Sequence, residues 1–269
     1  MIVVTGATGN VGRALVETLA AAGEQVTAVS RRPAQVPDGV RHHQADLNDP
    51  ASLRPALAGA DALFLLVAGD DPHALVKEAA GVERVVLLSS QGAGTRPETY
   101  RHPALFEQAL RESGADLTIL RPGGFASNAF AWAESIRTAR TAAAPFGDVG
   151  LPTIDPADIA EVAAAVLREP GHAGRTYELT GPELVTPRER AAAIGEALGE
   201  PVRFVEQTRE EARAQMLQVM PEPVVEGTLA ILGAPTAAEQ AVSPDVERVL
   251  GRAPRTFAEW AARNLPAFR

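Results

Sequence analysis

The chain has no cysteine, one lysine and few aromatic residues, and each scarcity narrows what it can be. Without cysteine there is no disulfide, no thiolate nucleophile and no cysteine zinc site. Lys77 is the only lysine, so any chemistry that needs an ammonium group must use it. Aromatic residues make up 4% of the chain, which leaves few candidates for a stacking platform. No apolar run approaches the roughly 20 residues of a membrane-spanning helix, so no membrane association is expected. Met1 leads directly into Ile2-Val3-Val4 with no basic segment before it, so no secretory leader is expected and the cytoplasm is the simplest location. A net charge of -9, with no Lys/Arg-rich run, argues against nucleic acid, because phosphate binding needs a basic surface.

What is present describes a globular α/β protein. The 269 residues, 46% hydrophobic and 22% charged, suffice for one large domain or a domain with a small lobe. Short apolar runs alternate with helical periodicity, which predicts βαβ units and a parallel sheet. Strands are predicted at Ile2–Val4, Gln25–Val29, Val40–Gln44, Ala62–Val67, Val85–Ser89, Leu117–Leu120 and Arg175–Leu179. Helices are predicted from Val11 to the capping Gly23, and over Pro50–Leu57, His73–Ala80, Pro103–Ser113 and from Ala157 through Val166. After Thr180-Gly181-Pro182 the alternation weakens: helices at Thr186–Leu198, Arg209–Val219 and Thr256–Asn264 accompany a strand at Val202–Val205. The expected fold is a Rossmann-type, doubly wound parallel sheet (residues 1–180) with a small, partly interleaved C-terminal α/β lobe (residues 181–269) closing over the site.

The motif with the clearest chemistry is Gly6-Ala7-Thr8-Gly9-Asn10-Val11-Gly12, between the first strand and an amphipathic helix. In that context Gly6 allows the tight turn, Gly9 a close approach to a pyrophosphate, and Gly12 close packing of helix on strand. The helix N-terminus offers free N–H groups to phosphate. The motif predicts a dinucleotide site formed by Gly6, Thr8, Gly9, Asn10, Val11 and Gly12. The second strand ends in Ser30-Arg31-Arg32-Pro33 where NAD-binding domains usually carry an acid, so Arg31 and Arg32 favour the 2′-phosphate of NADPH (NADP) over NADH. Asp46, followed by Leu47 after the third strand, either binds the adenine amino group or caps the following turn.

The residues Thr5–Gly12, Ser30–Pro33, Leu88–Ala93, Leu120–Phe125, Asn128, Asp155–Ala160 and Gly251–Phe257 together resemble the atypical short-chain dehydrogenase/reductases. Within them, the chain resembles the NmrA-like proteins and related NAD(P)H:quinone oxidoreductases. The resemblance implies that Val67, Ala68 and Gly69 line the cofactor. It also implies that Pro122, Gly123, Gly124 and Phe125 lie beside the nicotinamide and that Asn128 is near the substrate, with Phe125 shared by both. Ser89 would lie against the cofactor.

One departure constrains the chemistry. Members with a Tyr-x-x-x-Lys pair use the lysine to tune a proton-donating tyrosine, but here the residue four after Tyr100 is Ala104. Tyr177 lies in no such motif. The candidates left for catalysis are His102, at the start of a helix that also carries Glu107, and Ser90, placed to hydrogen-bond a substrate carbonyl. No Gly-x-Ser-x-Gly elbow or metal motif occurs, and His42 and His43 point to opposite faces of one strand, so no metal is expected. Phe125, Phe130 and Trp132 are candidates for stacking or for packing. The expected activity is an NADPH-dependent reduction of a small molecule, a quinone or an activated carbonyl or enone, by a monomer or homodimer. The alternatives are a dinucleotide-sensing regulator, which alone would need a protein partner through Met216–Met220, and a non-redox lyase, isomerase or cyclase.

Overall fold

The computed structural model describes residues 1–269. Nine strands run β1 (Ile2–Thr5), β2 (Val26–Ser30), β3 (Arg41–Gln44), β4 (Ala62–Leu66), β5 (Arg84–Leu88), β6 (Asp116–Pro122), β7 (Thr141–Pro145), β8 (Thr176–Leu179) and β9 (Arg203–Gln207). Seven form one parallel sheet in the order β3-β2-β1-β4-β5-β6-β8. The order reverses between β1 and β4, and a ligand crevice opens at such a switch point, beyond the carboxyl ends of the strands.

Side-chain alternation assigns the two faces. Ile2, Val4, Phe64, Val86 and Leu120 pack beneath the helices Asn10–Ala21 and Pro156–Arg168. Val3, Leu63, Leu65, Val85, Leu87 and Ile119 pack beneath Pro72–Glu78 and Arg101–Glu112. A strand buried on both faces reads as a continuous apolar run, which is why β1, β4 and β5 are legible in sequence. Gly23, at φ +80°, follows the first helix in the left-handed conformation expected of a C-terminal cap.

All eight predicted strands form, within a residue or two at their ends. The apolar pattern misses β7, which reads Thr-Ala-Ala-Ala-Pro, because alanine has little strand preference; its partner β9 holds it in parallel register. Helices at Gln91–Thr95, Ala133–Ala139, Glu222–Gly233, Ala237–Gln240 and Asp245–Leu250 are also unannounced, as is the 3₁₀ turn Ala126–Trp132.

The smaller lobe draws on residues from both sides of position 180. Its core joins Ala126, Ala129, Ile136 and Ala142 to Ile194, Phe257, Trp260 and Phe268. In the other direction, Val246 returns to the main sheet's core beside Pro156–Arg168. Phe130 stacks on Phe268 at 5.9 Å and meets Trp260 at 5.0 Å with the rings tilted, so it packs against the lobe while staying partly exposed. Met216 and Met220 pack on Ala212, Val225 and Leu229, leaving Leu217 and Val219 exposed.

Candidate active site

The cradle is built from backbone. Gly6 turns the chain at φ +63°, and a Cβ there would stand 2.1 Å from Leu66 Cδ1. At Gly12 a Cβ would stand 2.2 Å from the Gly6 carbonyl oxygen, so helix and turn touch through backbone alone. Gly9 is the N-cap of Asn10–Ala21 and supplies no side chain, which leaves the first-turn N–H groups open to an anion. Above this turn lies a cleft of about 340 Å³ lined by Gly6, Thr8, Gly9, Arg31, Asp46, Leu47, Ala68 and Gly69, together with Thr5, Val29, Ser30, Ala45, Asn48 and Leu66. These residues fit a dinucleotide: a side-chain-free phosphate cradle at one end and a guanidinium at the other.

The structure brings Arg31 to the cleft wall, whereas Arg32 is exposed beside it and is not part of the lining. Neither forms an ion pair, although arginines such as Arg54, Arg96 and Arg121 are each held by a carboxylate. Asp46 lines the cleft and also organises its own turn, accepting from the Asn48 N–H at 3.0 Å. His42 and His43 are committed elsewhere, to Ser30 Oγ at 2.8 Å and to the Ser52 carbonyl at 3.1 Å.

Two hydrogen bonds tie the cradle to the second half of the crevice. Asn10 Nδ2 donates to Ser127 Oγ at 3.1 Å, joining the glycine motif to the turn that follows Phe125. His102 Nε2 donates to the Gly69 carbonyl at 2.8 Å, holding the Val67-Ala68-Gly69 segment. Gly69 is at φ +89°, and a Cβ there would meet the Leu47 carbonyl at 2.4 Å, so this loop has one tight path. Phe125 is half-buried against the main core and bridges to Ile154, while Gly124 and Asn128 are exposed. The Gly123 N–H donates to Leu179, leaving the Pro122–Phe125 turn fixed at the end of β6.

Beneath that turn lies a cluster whose pairing the sequence does not announce. Arg121 donates through Nε and Nη2 to the two carboxylate oxygens of Glu107, at 2.9 and 2.7 Å, and Ser89 Oγ donates to Glu107 at 2.6 Å. Burial pushes the Glu107 carboxyl up, but the hydrogen bonds from Arg121 and Ser89 outweigh it and hold the group below the usual carboxylate range. Glu178 on β8 is 3.4 Å from Arg121, and its burial outweighs that contact, so its carboxyl is pushed up. The Ser89 hydroxyl is therefore given to Glu107, whose carboxyl is held in its ionised form. Both residues were visible in sequence; their pairing required the fold.

Ser90 Oγ caps Gln91–Thr95 by accepting from the Gly92 N–H at 3.2 Å, which leaves its own proton free to donate. Tyr100 is half-buried. Its ring lies against Gly92, where a Cβ would be 2.5 Å away, and burial raises its hydroxyl above the ordinary value. Lys77 is exposed on Pro72–Glu78, and Tyr177 pairs with His172 Nδ1 at 2.7 Å.

The segment Ala237–Gln240 straps the lobe to the strand ends. Glu239, almost fully buried, binds Arg96 at 2.7 and 2.9 Å and Thr95 at 3.0 Å. Burial alone would raise its carboxyl, yet the bonds from Arg96, the Thr236 N–H and Thr95 hold it at about 2. Gln240 reaches the Gly150 carbonyl at 3.1 Å.

Comparison with known proteins agrees with this geometry. A family profile described as NAD(P)H-binding matches residues 6–170. The chain is 39% identical, over 100% of its length and 99% of the relative's, to a (4-alkanoyl-5-oxo-2,5-dihydrofuran-3-yl)methyl phosphate reductase of Streptomyces griseus. It is 34% identical to an NAD(P)H azoreductase of Xenophilus azovorans, again over 100% and 99%. An NADPH-dependent quinone oxidoreductase from Escherichia coli superposes with a TM-score of 0.81 at 28% identity, covering 98% of this chain and 99% of that one. The chain belongs to the NAD(P)H-binding family, among the atypical short-chain dehydrogenase/reductases related to NmrA-like proteins and quinone oxidoreductases. It is an oxidoreductase. No helix is long and apolar enough to cross a membrane.

Proposed function

We propose that this protein is an NADPH-dependent reductase of a quinone or a similarly activated carbonyl or enone. The observation that carries the reading is a complete dinucleotide cradle with no Tyr/Lys proton donor beside it: Tyr100 is spent on packing and Lys77 lies elsewhere. The relatives named above as reductases of an azo compound, a quinone and an unsaturated furanone support it. When bound, the dihydronicotinamide supplies a hydride. A quinone that accepts it becomes a hydroquinone anion with delocalised charge, which takes its proton from water on leaving the pocket. The chain's own task is then to position and exclude solvent, which can contribute several kcal/mol. Pro122–Phe125 forms the wall, Ser90 donates to the acceptor's carbonyl oxygen, and Asn128 orients it. His102 acts as a positioning residue through Gly69.

The test is loss of NADPH absorbance with a panel of quinones and enones, with NADH in parallel. Protein-dependent oxidation above the spontaneous rate supports the reading. Tight NADPH binding with no oxidation by any acceptor overturns it in favour of a dinucleotide-sensing regulator.

Variants at two positions test the assigned roles. Arg31→Glu should raise the KM for NADPH roughly 30-fold or more while moving that for NADH less than about threefold, since only the former carries the 2′-phosphate. Equal losses would reject the assignment. His102→Phe removes the donor to Gly69 and should raise the NADPH KM about fivefold with kcat nearly intact, and His102→Gln should restore it. A roughly hundredfold fall in kcat at unchanged KM would instead make His102 the proton donor.

A further inference from the structure

Arg190, on the helix Pro187–Leu198, is 9% exposed and has no partner. Its Nε is buried without an acceptor, and no carboxylate stands within ion-pair distance. The other arginines of this region are satisfied: Arg188, two residues earlier, binds Asp148 and Glu206, and Arg140 binds Glu200. The Arg190 guanidinium lies over the Trp132 ring, whose centroid is 5.7 Å away, and the Trp132 Nε1–H is already given to the Ala143 carbonyl. Desolvation by itself lowers the Arg190 pKa to about 10. A buried cation left unpaired destabilises the fold, so it persists where something else supplies the anion.

We propose that Arg190 binds an oxyanion, a phosphate or carboxylate group, carried by the substrate of the reductase. The inference rests on the reductase reading for its substrate but on Arg190's surroundings for its site. The anions of the dinucleotide have their own sites in that reading, the pyrophosphate at the start of Asn10–Ala21 and the 2′-phosphate at Arg31, and Arg190 belongs to neither. Trp132 ends the turn that begins directly after Phe125, so one short segment connects the ring under Arg190 to the proposed nicotinamide wall. A guanidinium backed by an indole face presents its planar fork to one oxyanion and suits a bidentate pair. The substrate class is then an activated carbonyl, enone or quinone bearing an acidic tail.

The test compares wild type, Arg190→Met and Arg190→Lys. With NADP⁺ saturating, so that the dinucleotide sites are filled, inorganic phosphate and acetate are titrated while Tm is followed. Phosphate or acetate should raise the Tm of wild type and not that of Arg190→Met, whose Tm without anion should equal or exceed wild type. In turnover, a naphthoquinone carrying a phosphate ester or a carboxylate is compared with its neutral parent. The ratio of kcat/KM values, anionic over neutral, should fall roughly 30-fold in Arg190→Met and less in Arg190→Lys. The phosphate and carboxylate arms identify which oxyanion is preferred. A ratio unchanged within about twofold, with anions shifting the Tm of all three proteins alike, would make Arg190 a packing residue. If no quinone is reduced at all, the reductase reading fails, while the anion titration still decides the role of Arg190.

Discussion

Gly12→Val should abolish NADPH binding while most of the protein still folds. The position has no spare volume: even the first side-chain carbon would lie 2.2 Å from the Gly6 oxygen, 2.8 Å from its carbonyl carbon and 3.0 Å from Ala7 Cα. All three are backbone atoms of the turn that would hold the pyrophosphate, so none can swing aside like a side chain. Overpacking of this kind typically costs about 1–3 kcal/mol, and here the strain falls on the ligand cradle itself. Affinity for NADPH, read by fluorescence titration, should fall on the order of a hundredfold for Gly12→Ala and beyond detection for Gly12→Val. Gly23→Ala is the control. Gly23 has φ +80° but nothing within 4 Å, so it should lose about 1 kcal/mol of stability with NADPH affinity unchanged. Normal NADPH binding by Gly12→Ala would refute the placement of the cofactor.

Arg121→Met should produce the largest loss of stability. It leaves Glu107, whose side chain is 3% exposed, with only Ser89 and the outer Arg111 as partners. Breaking one side of a buried pair costs about 3–5 kcal/mol, which for a chain of this length corresponds to a Tm lower by roughly 6–15 °C. The double variant Glu107→Met/Arg121→Met should recover much of that loss, because the most deeply buried carboxylate leaves together with its guanidinium, and only the more exposed Glu178 and Arg111 lose a contact. The pH dependence has a definite sign. The folded-state pKa of Glu107 is depressed, so its contribution is complete above the ordinary carboxylate range and is lost as pH falls below it. The Tm gap between wild type and Arg121→Met should therefore hold from pH 7 to about pH 5 and narrow on further acidification towards about pH 3, as measured by calorimetry. A gap independent of pH would mean that the variant acts through packing alone.

The cluster disrupted by Arg121→Met marks where sequence reasoning stopped. Ser89, Glu107 and Arg121 lie on separate strand and helix segments, each readable alone, but no local pattern says that a carboxylate will pair with a guanidinium 14 positions away. The same holds for Tyr100. Its spacing before Ala104 removes it from the Tyr-x-x-x-Lys pair. Only the structure reveals its actual surroundings, against Gly92 and beside Gly227, where a Cβ would meet Thr99 Cγ2 at 2.4 Å. Gly227 and Gly233 obscure the helix Glu222–Gly233 in sequence because glycine disfavours helices locally. In the fold they are the residues that let neighbouring side chains approach.

The sequence by itself determined the parallel sheet and the nucleotide end of the crevice. A strand buried on both faces must be apolar throughout, and a turn that meets phosphate must be glycine, so both constraints appear in consecutive residues. Arg31 belongs to the same class, since its place at the end of β2 follows from chain order. The tertiary structure alone decided the lobe and the substrate end. β7 exists because β9 pairs with it, Gln91 and Gly150 are both held by a strap that lies 147 and 90 residues farther along the chain, and Arg190 matters because of what does not surround it. Each of these depends on contacts between distant segments, whose free energy is set by packing and desolvation and leaves no period or motif in the chain.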